Sequence, residues 1–406
     1  MKERKFPAVT VTEKAERTLR SGNPRVYDTE IVSVEDGAKN GGIVDVISRK
    51  NKYLGSGVLS EKSKIRIRIL SNNANEVFDN AFFERRVRYA VDYRRTVMGK
   101  DFDCCRLIYG EADGLPGVTV DKYSDILVTQ IMSYGMELRK SVIYDALYTV
   151  LGEYGIKING IYERNDVVIR NNEGLEEYKG WYEGIPHTEN TQVIITENGI
   201  KYNVDFENGQ KTGFFLDQKY NRRAVSEIAK GKKVLDCFTH TGSFGLNAAA
   251  GGAGSVTMVD ISKTALENAQ NNARLNNMGE NIEFLEADIF DLLPRLEKEG
   301  SHKYDFIILD PPAFTKSRKT INSANRGYKE INYRAMKLLP RGGYLATCSC
   351  SHFMDSGLFE KMLVSAAKDA QVQLKMVEMR RQSPDHPILW NVPETDYLKF
   401  YIFQVI

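Results

Sequence analysis

The feature that most constrains this chain is the texture after about residue 194, where short apolar runs alternate with helical stretches. Strands are expected at 232–238, 255–261, 282–287, 304–309 and 343–350, with helices near 242–250, 263–277 and 325–339. Each strand is too short to return on itself before the next helix begins. The alternation therefore predicts parallel strands joined by crossover helices, an α/β Rossmann-like domain whose ligands sit at the carboxyl ends of the strands. The 406 residues exceed what one core usually supports. Three domains are expected: β-rich over 1–72, α+β over 73–193, and α/β over 194–406.

Charge separates the two ends. Residues 1–100 carry 21 Lys and Arg against 13 Asp and Glu, and the rest carry 35 against 41, although the net charge is only +2. A basic front suits an acidic polymer such as nucleic acid, and a solvated charged face is the alternative. No run of about eighteen apolar residues occurs, which argues against a membrane span. The start lacks the apolar core of a secretory signal, so a cytoplasmic protein without membrane attachment is expected. Five cysteines, Cys104, Cys105, Cys237, Cys348 and Cys350, fit neither a disulfide framework nor zinc-ligand spacing. No metal is expected.

The first 72 residues show short apolar runs with a period of two, punctuated by Gly37, Gly41 and Gly42. In 65–70, Arg66 and Arg68 alternate with isoleucines, which places both guanidinium groups on one strand face. With Gly41-Gly42-Ile43-Val44-Asp45-Val46 and Tyr53-Leu54-Gly55-Ser56-Gly57, this stretch resembles the PUA domain, a β-barrel RNA-binding module. Arg66 and Arg68 are then expected to touch RNA. A helix over 76–98 carries Arg85, Arg86, Arg88, Arg94 and Arg95, a candidate phosphate-contacting connector or a solvated face.

In the last domain, 233–238 leads into Thr239-His240-Thr241-Gly242-Ser243-Phe244-Gly245 and a helix. A small-residue turn before a helix N-terminus offers free N–H groups to a ligand. It is not a G-x-G-x-x-G fingerprint. Asp236, Asp260 and Asp288 close three successive strands. A carboxylate at the tip of the second strand can accept both ribose hydroxyl protons, Asp288 stands where an adenine amino group would be met, and Asp236 lies near the amino-acid end. This order, followed by Asp310-Pro311-Pro312, resembles class I methyltransferases, which implies S-adenosylmethionine as cofactor. Phe238, Gly242, Ser243, Phe244, Ile261, Ser262, Ile289 and Asp310 complete the expected set. Upstream, 212–223 resembles the segment that covers the methionine end of the cofactor in one group of rRNA methyltransferases, which adds Phe215, Asp217, Gln218 and Tyr220.

Pyrimidine carbon-5 is too poor a nucleophile to take a methyl group unaided. Adding a thiolate to carbon-6 makes it enamine-like. The run Gly342-Gly343-Tyr344-Leu345-Ala346-Thr347-Cys348-Ser349-Cys350-Ser351 matches the nucleophile motif of RNA cytosine-5 methyltransferases with Cys350 as the attacking thiol. Cys348 shares its face of an ideal strand, so strand geometry alone leaves the two open. Buried structural thiols are the alternative. Many such enzymes carry a second cysteine in the Asp-Pro motif, where this chain has Ala313. Across the whole chain, the motif order, including Gly327-Tyr328-Lys329-Glu330-Ile331-Asn332, resembles the bacterial 23S rRNA cytosine-5 methyltransferase family RlmI, which uses one motif cysteine. The resemblance implies Cys350 and Asp310 as catalytic residues and 23S rRNA as partner. It also implies a base pocket bordered by Pro311, Pro312, Phe314, Tyr328, Asn332 and His386. A homodimer enters by the resemblance alone. A guanine-N7 rRNA methyltransferase, a non-catalytic RNA-binding assembly factor and a small-molecule methyltransferase remain as alternatives.

Overall fold

A computed structural model describes residues 6–300, 303–315 and 317–406. Its packing divides the chain into two compact units. One holds the chain up to Ile194 with Val204–Leu216 and Pro384–Thr395, and the other holds Ile195–Asn203, Asp217–Ser383 and Asp396–Ile406.

In the first unit, six short strands form one sheet in the order Arg25–Tyr27, Ile65–Ser71, Tyr53–Leu59, Ile43–Ser48, Ala8–Val11, Ile31–Val34. Val9, Val11, Val26, Val44, Val46 and Ile67, none of them solvent-accessible, form its core. A Cβ at Gly57 would lie 2.2 Å from the Arg68 carbonyl, so the glycine permits the close pairing of two strands. A second sheet runs in the order Tyr178–Trp181, Ile161–Asn165, Ile126–Ile131, Val118–Tyr123, Cys104–Tyr109. Helices Asn80–Met98 and Lys140–Glu153 pack together in the same unit.

Several expectations change here. The helix begins at Asn80 rather than at 76, because the Asp79 carboxylate caps it by accepting the Phe82 N–H at 3.0 Å. Within the α+β region, Val168–Glu173 forms a 3-10 helix. Each guanidinium group of the basic helix has a partner within the protein, although Arg95 stays exposed. Arg85 pairs with Glu76 and Arg88 with Glu84, each at 2.8 Å. Arg86 donates to the Leu70 carbonyl at 2.9 Å, the fully buried Arg94 grips Asp113, and Arg95 lies 3.7 Å from the Tyr154 ring centre.

The second unit is built on a seven-stranded sheet of β1 (Lys233–Cys237), β2 (Ser255–Asp260), β3 (Ile282–Glu286), β4 (Phe306–Leu309), β5 (Tyr344–Ser349), β6 (Leu374–Arg380) and β7 (Lys399–Val405). The spatial order is β3-β2-β1-β4-β5-β7-β6, with β1 to β5 parallel and β7 antiparallel to both its neighbours. The helices are α1 (Lys219–Ile228), α2 (Ser243–Ala250), α3 (Lys263–Leu275), α4 (Ile289–Lys298), α5 (Ile321–Leu338) and α6 (Ser356–Asp369). Phe306 to Leu309 are fully buried, as a central parallel strand covered by helices on both faces requires. The order reverses between β1 and β4, so a crevice for a ligand is expected beyond their carboxyl ends. Among the described residues no helix is long and apolar enough to cross a membrane, and no cluster of potential metal ligands occurs.

Candidate active site

The turn after β1 is strained at two side-chain-bearing positions. Phe238 and His240 have φ of 63° and 52°, and Gly242 follows at 80°. Such outliers persist where the surroundings impose them, commonly at ligand sites. The turn aims the N-terminus of α2 back over β1. Gly245 there donates its N–H to Asp236 Oδ2 at 2.8 Å, and Thr239 donates its hydroxyl to the same oxygen at 2.5 Å. A Cβ on Gly245 would meet that oxygen at 2.9 Å and Met258 at 2.6 Å, so only glycine lets the helix approach. Ser243 and Phe244 open α2 and are buried, with Phe244 stacked on Phe400 at 6.2 Å.

Asp236 is fully buried, and its Oδ1 has no hydrogen-bond partner. Burial, reinforced by the charges of Asp310 and Asp260, pushes its carboxyl up to about 7, against the pull of the Thr239 and Gly245 hydrogen bonds. A buried carboxylate oxygen without a donor fits a ligand that brings one, such as the ammonium of an amino-acid moiety. At the tip of β2, Asp260 accepts the N–H groups of His240 and Ser262, both at 2.9 Å. Ile261 beside it is 67% exposed, an unusual place for an isoleucine. Asp288 caps α4 through the Phe290 N–H at 2.8 Å. Ile289 packs its side chain into the hydrophobic core at 2% exposure, which leaves its main chain to face a ligand. Asp236, Asp260 and Asp288 with the α2 turn therefore fit S-adenosylmethionine. Asp217 and Gln218 precede α1, and Tyr220 lies in its first turn. Tyr397 donates to Asp217 at 2.5 Å. Phe215 belongs to the first unit and carries Lys211 4.8 Å from its ring centre.

Beyond β4, Asp310 accepts the Gln218 side-chain N–H at 3.0 Å and is hydrogen-bonded to the Cys348 thiol. Burial raises Asp310 to about 6, the nearby Arg222 opposing and Asp217 assisting. The two thiols left open by strand geometry now differ. Cys348 is fully buried inside β5, and burial next to Asp310 pushes its thiol well above the ordinary range. Cys350 lies just past the end of β5 and is half-buried. Pro311 is buried and Pro312 exposed. An aromatic series lies alongside, Phe290 to Phe314 at 5.8 Å and Phe314 to Tyr328 at 4.6 Å. The Tyr328 hydroxyl meets Ser351 at 2.9 Å, and burial raises it to about 12.

Of the expected base and RNA contacts, Asn332 and Arg68 are turned into the protein interior. Asn332 has no exposed surface and donates to the Tyr328 carbonyl one turn back at 2.8 Å, so it braces α5. His386 lies in the first unit at 2% exposure, its Nδ1 3.0 Å from Asp385. Asp385 in turn accepts the Arg106 N–H at 2.8 Å, an internal network. Arg68 is corrected outright: it is 6% exposed and bound to Glu173 at 2.7 Å, so its charge is spent inside the protein. Arg66, on the same strand, donates to the Ser60 carbonyl at 3.3 Å. Three residues of the second unit escaped sequence reasoning. The buried pair Arg222–Glu197, at 2.6 Å, gave no local signal. Lys399 did, as a single lysine within the apolar run 398–403.

Residues 165–403 match the family described as S-adenosylmethionine-dependent methyltransferase, and residues 9–72 match a PUA-like domain. Ribosomal RNA large subunit methyltransferase I of Aeromonas salmonicida is 42% identical, over 95% of this chain and 96% of its own. Its counterpart in Klebsiella pneumoniae is 38% identical over 99% of both chains. Among solved structures, one described as a SAM-dependent methyltransferase from Streptococcus mutans superposes with a TM-score of 0.82 at 23% identity, covering 98% of this chain and 99% of its own. Another, a methyltransferase complexed with SAH, has the same TM-score and coverage at 24% identity. These two likenesses establish the fold. With the acidic strand ends and the α2 turn in place, the chain belongs to the S-adenosylmethionine-dependent methyltransferases, in the family of ribosomal RNA large subunit methyltransferase I.

Proposed function

We propose that this enzyme methylates carbon-5 of a cytosine in large-subunit ribosomal RNA, with Cys350 as a covalent nucleophile. The observation that carries the reading is the division of labour between the two thiols: Cys348 is sealed beside Asp310, whereas Cys350 is only half-buried, past the strand end. S-adenosylmethionine, when bound, supplies an electrophilic methyl group on a sulfonium sulfur. Asp236, Asp260 and Asp288 would hold its amino-acid, ribose and adenine parts in turn. The Cys350 thiolate adds to carbon-6, and the ring electron pair moves to carbon-5, which becomes methylated. Removal of the carbon-5 proton then re-forms the double bond and expels the thiolate. Asp310, near pH 6 in its proton affinity, is suited to exchange a proton with the base. The relatives' names and the PUA-like front support rRNA as substrate.

The test uses large-subunit rRNA and nucleoside mass spectrometry. Wild type and Cys348→Ala should form 5-methylcytosine, and Cys350→Ala should lose at least about a thousandfold in rate. RNA carrying 5-fluorocytosine should trap a denaturant-resistant adduct only when Cys350 is present. Intact methylation by Cys350→Ala, or 7-methylguanine as product, sinks the reading.

A further inference from the structure

We infer that Lys399 is the positioning residue that stabilises Cys350 as a thiolate; the inference rests on the covalent role proposed for Cys350. Lys399 opens β7 and pairs with Ser349 across the antiparallel ladder, which brings it beside the end of β5. It is 4% exposed. An ammonium so placed is costly unless compensated. Its Nζ donates to the Ser351 carbonyl at 2.8 Å and to the Tyr397 carbonyl at 2.7 Å. An ammonium has three protons, so one is left for a further acceptor.

Neither carbonyl carries a full charge. The charged or titratable groups facing Lys399 are Cys350, Asp355 and Arg381, and Cys350 interacts most strongly. Asp355 caps α6, accepting the Leu358 N–H at 2.8 Å, and Arg381 pairs with Asp396. Desolvation draws the Lys399 ammonium down to about 8, and the charges of Cys350 and Asp355 oppose it. Tyr328 and Cys348 also interact electrostatically with Cys350, and burial raises the proton affinity of both, so neither of them supplies a cation. The bond to Ser351 tethers the ammonium to the residue after the nucleophile. The thiolate is the species that adds to carbon-6, and an adjacent cation is what favours it at neutral pH.

The readout is iodoacetamide labelling of Cys350 in the full chain, followed by peptide mass spectrometry across pH. Lys399→Gln keeps a donor but drops the charge, and Lys399→Arg keeps the charge. At pH 7 the glutamine variant should label about tenfold more slowly than wild type. The gap should close towards pH 10, where the thiol ionises unaided, and arginine should restore most of the rate. Equal rates for Lys399→Gln and wild type, or a deficit that does not change with pH, overturn the inference. If Lys399→Gln fails to fold, reciprocity supplies a second reading. In Cys350→Ser, the Lys399 ε-carbon NMR titration should move to lower pH than in wild type, and an unmoved titration overturns the inference. Methyl transfer by Cys350→Ala is scored separately: if intact, the covalent reading fails whatever the labelling shows.

Discussion

Asp236 serves the ligand at a cost to the cofactor-free protein. Its carboxyl is held at about 7, far above the 3.8 of an ordinary aspartate, chiefly by burial. The folded state therefore binds this proton more tightly than the unfolded chain. The stabilisation is complete below about pH 4 and is lost as pH rises through about 7. Asp236→Asn, uncharged and of similar shape, should raise the thermal midpoint of the cofactor-free protein at pH 8 by several degrees, with little difference at pH 4. The same change should weaken S-adenosylmethionine binding by about tenfold or more, because the amide cannot neutralise an ammonium. Thermal scans at the two pH values and calorimetric titration check both halves. A lower midpoint for the variant at pH 8 would contradict the burial argument.

At the scale of elements, the site depends on how closely α2 approaches β1 and β2. Gly245→Ala inserts a methyl where Met258 lies at 2.6 Å and Asp236 at 2.9 Å. The helix must shift or the methionine must repack. A destabilisation of about 1–3 kcal/mol is expected from overpacking, together with loss of cofactor affinity, because the Gly245 N–H moves off Asp236. Chemical denaturation and titration of the same variant measure the two effects. Unchanged affinity would show that the turn alone holds the ligand.

At the scale of the whole molecule, the basic front is a matter of which cations reach solvent. Arg68 is sealed against Glu173, whereas Arg49, Lys50 and Lys52 are exposed around the turn between strands Ile43–Ser48 and Tyr53–Leu59. If these three touch phosphates, replacing each with Gln should lower the slope of log affinity for RNA against log salt by roughly 0.7–0.9. Arg68→Gln should leave that slope alone. It should instead destabilise the protein by roughly 3–5 kcal/mol, since it strands a buried Glu173. Filter binding across a salt series, paired with denaturation curves, separates the two outcomes.

What could be read without coordinates was local and periodic. Alternating strands and helices imply a parallel sheet because a crossover is the geometric way to join parallel neighbours. Acids at successive strand ends, Asp-Pro-Pro and Thr-Cys-Ser-Cys-Ser keep their meaning because a parallel sheet gathers those ends along one edge. Long-range pairing was not legible. Arg68 and Glu173 are 105 positions apart, and only folding shows that one cancels the other. The same holds for the arginines of Asn80–Met98, which sequence could count but not assign partners. Strand alternation put Cys348 and Cys350 on one face. The tertiary structure separated them by ending β5 between the two thiols and burying Cys348 against Asp310. Chemical type and order belong to the sequence, whereas which charges and thiols remain available to a ligand was decided by burial, a property of the folded chain alone.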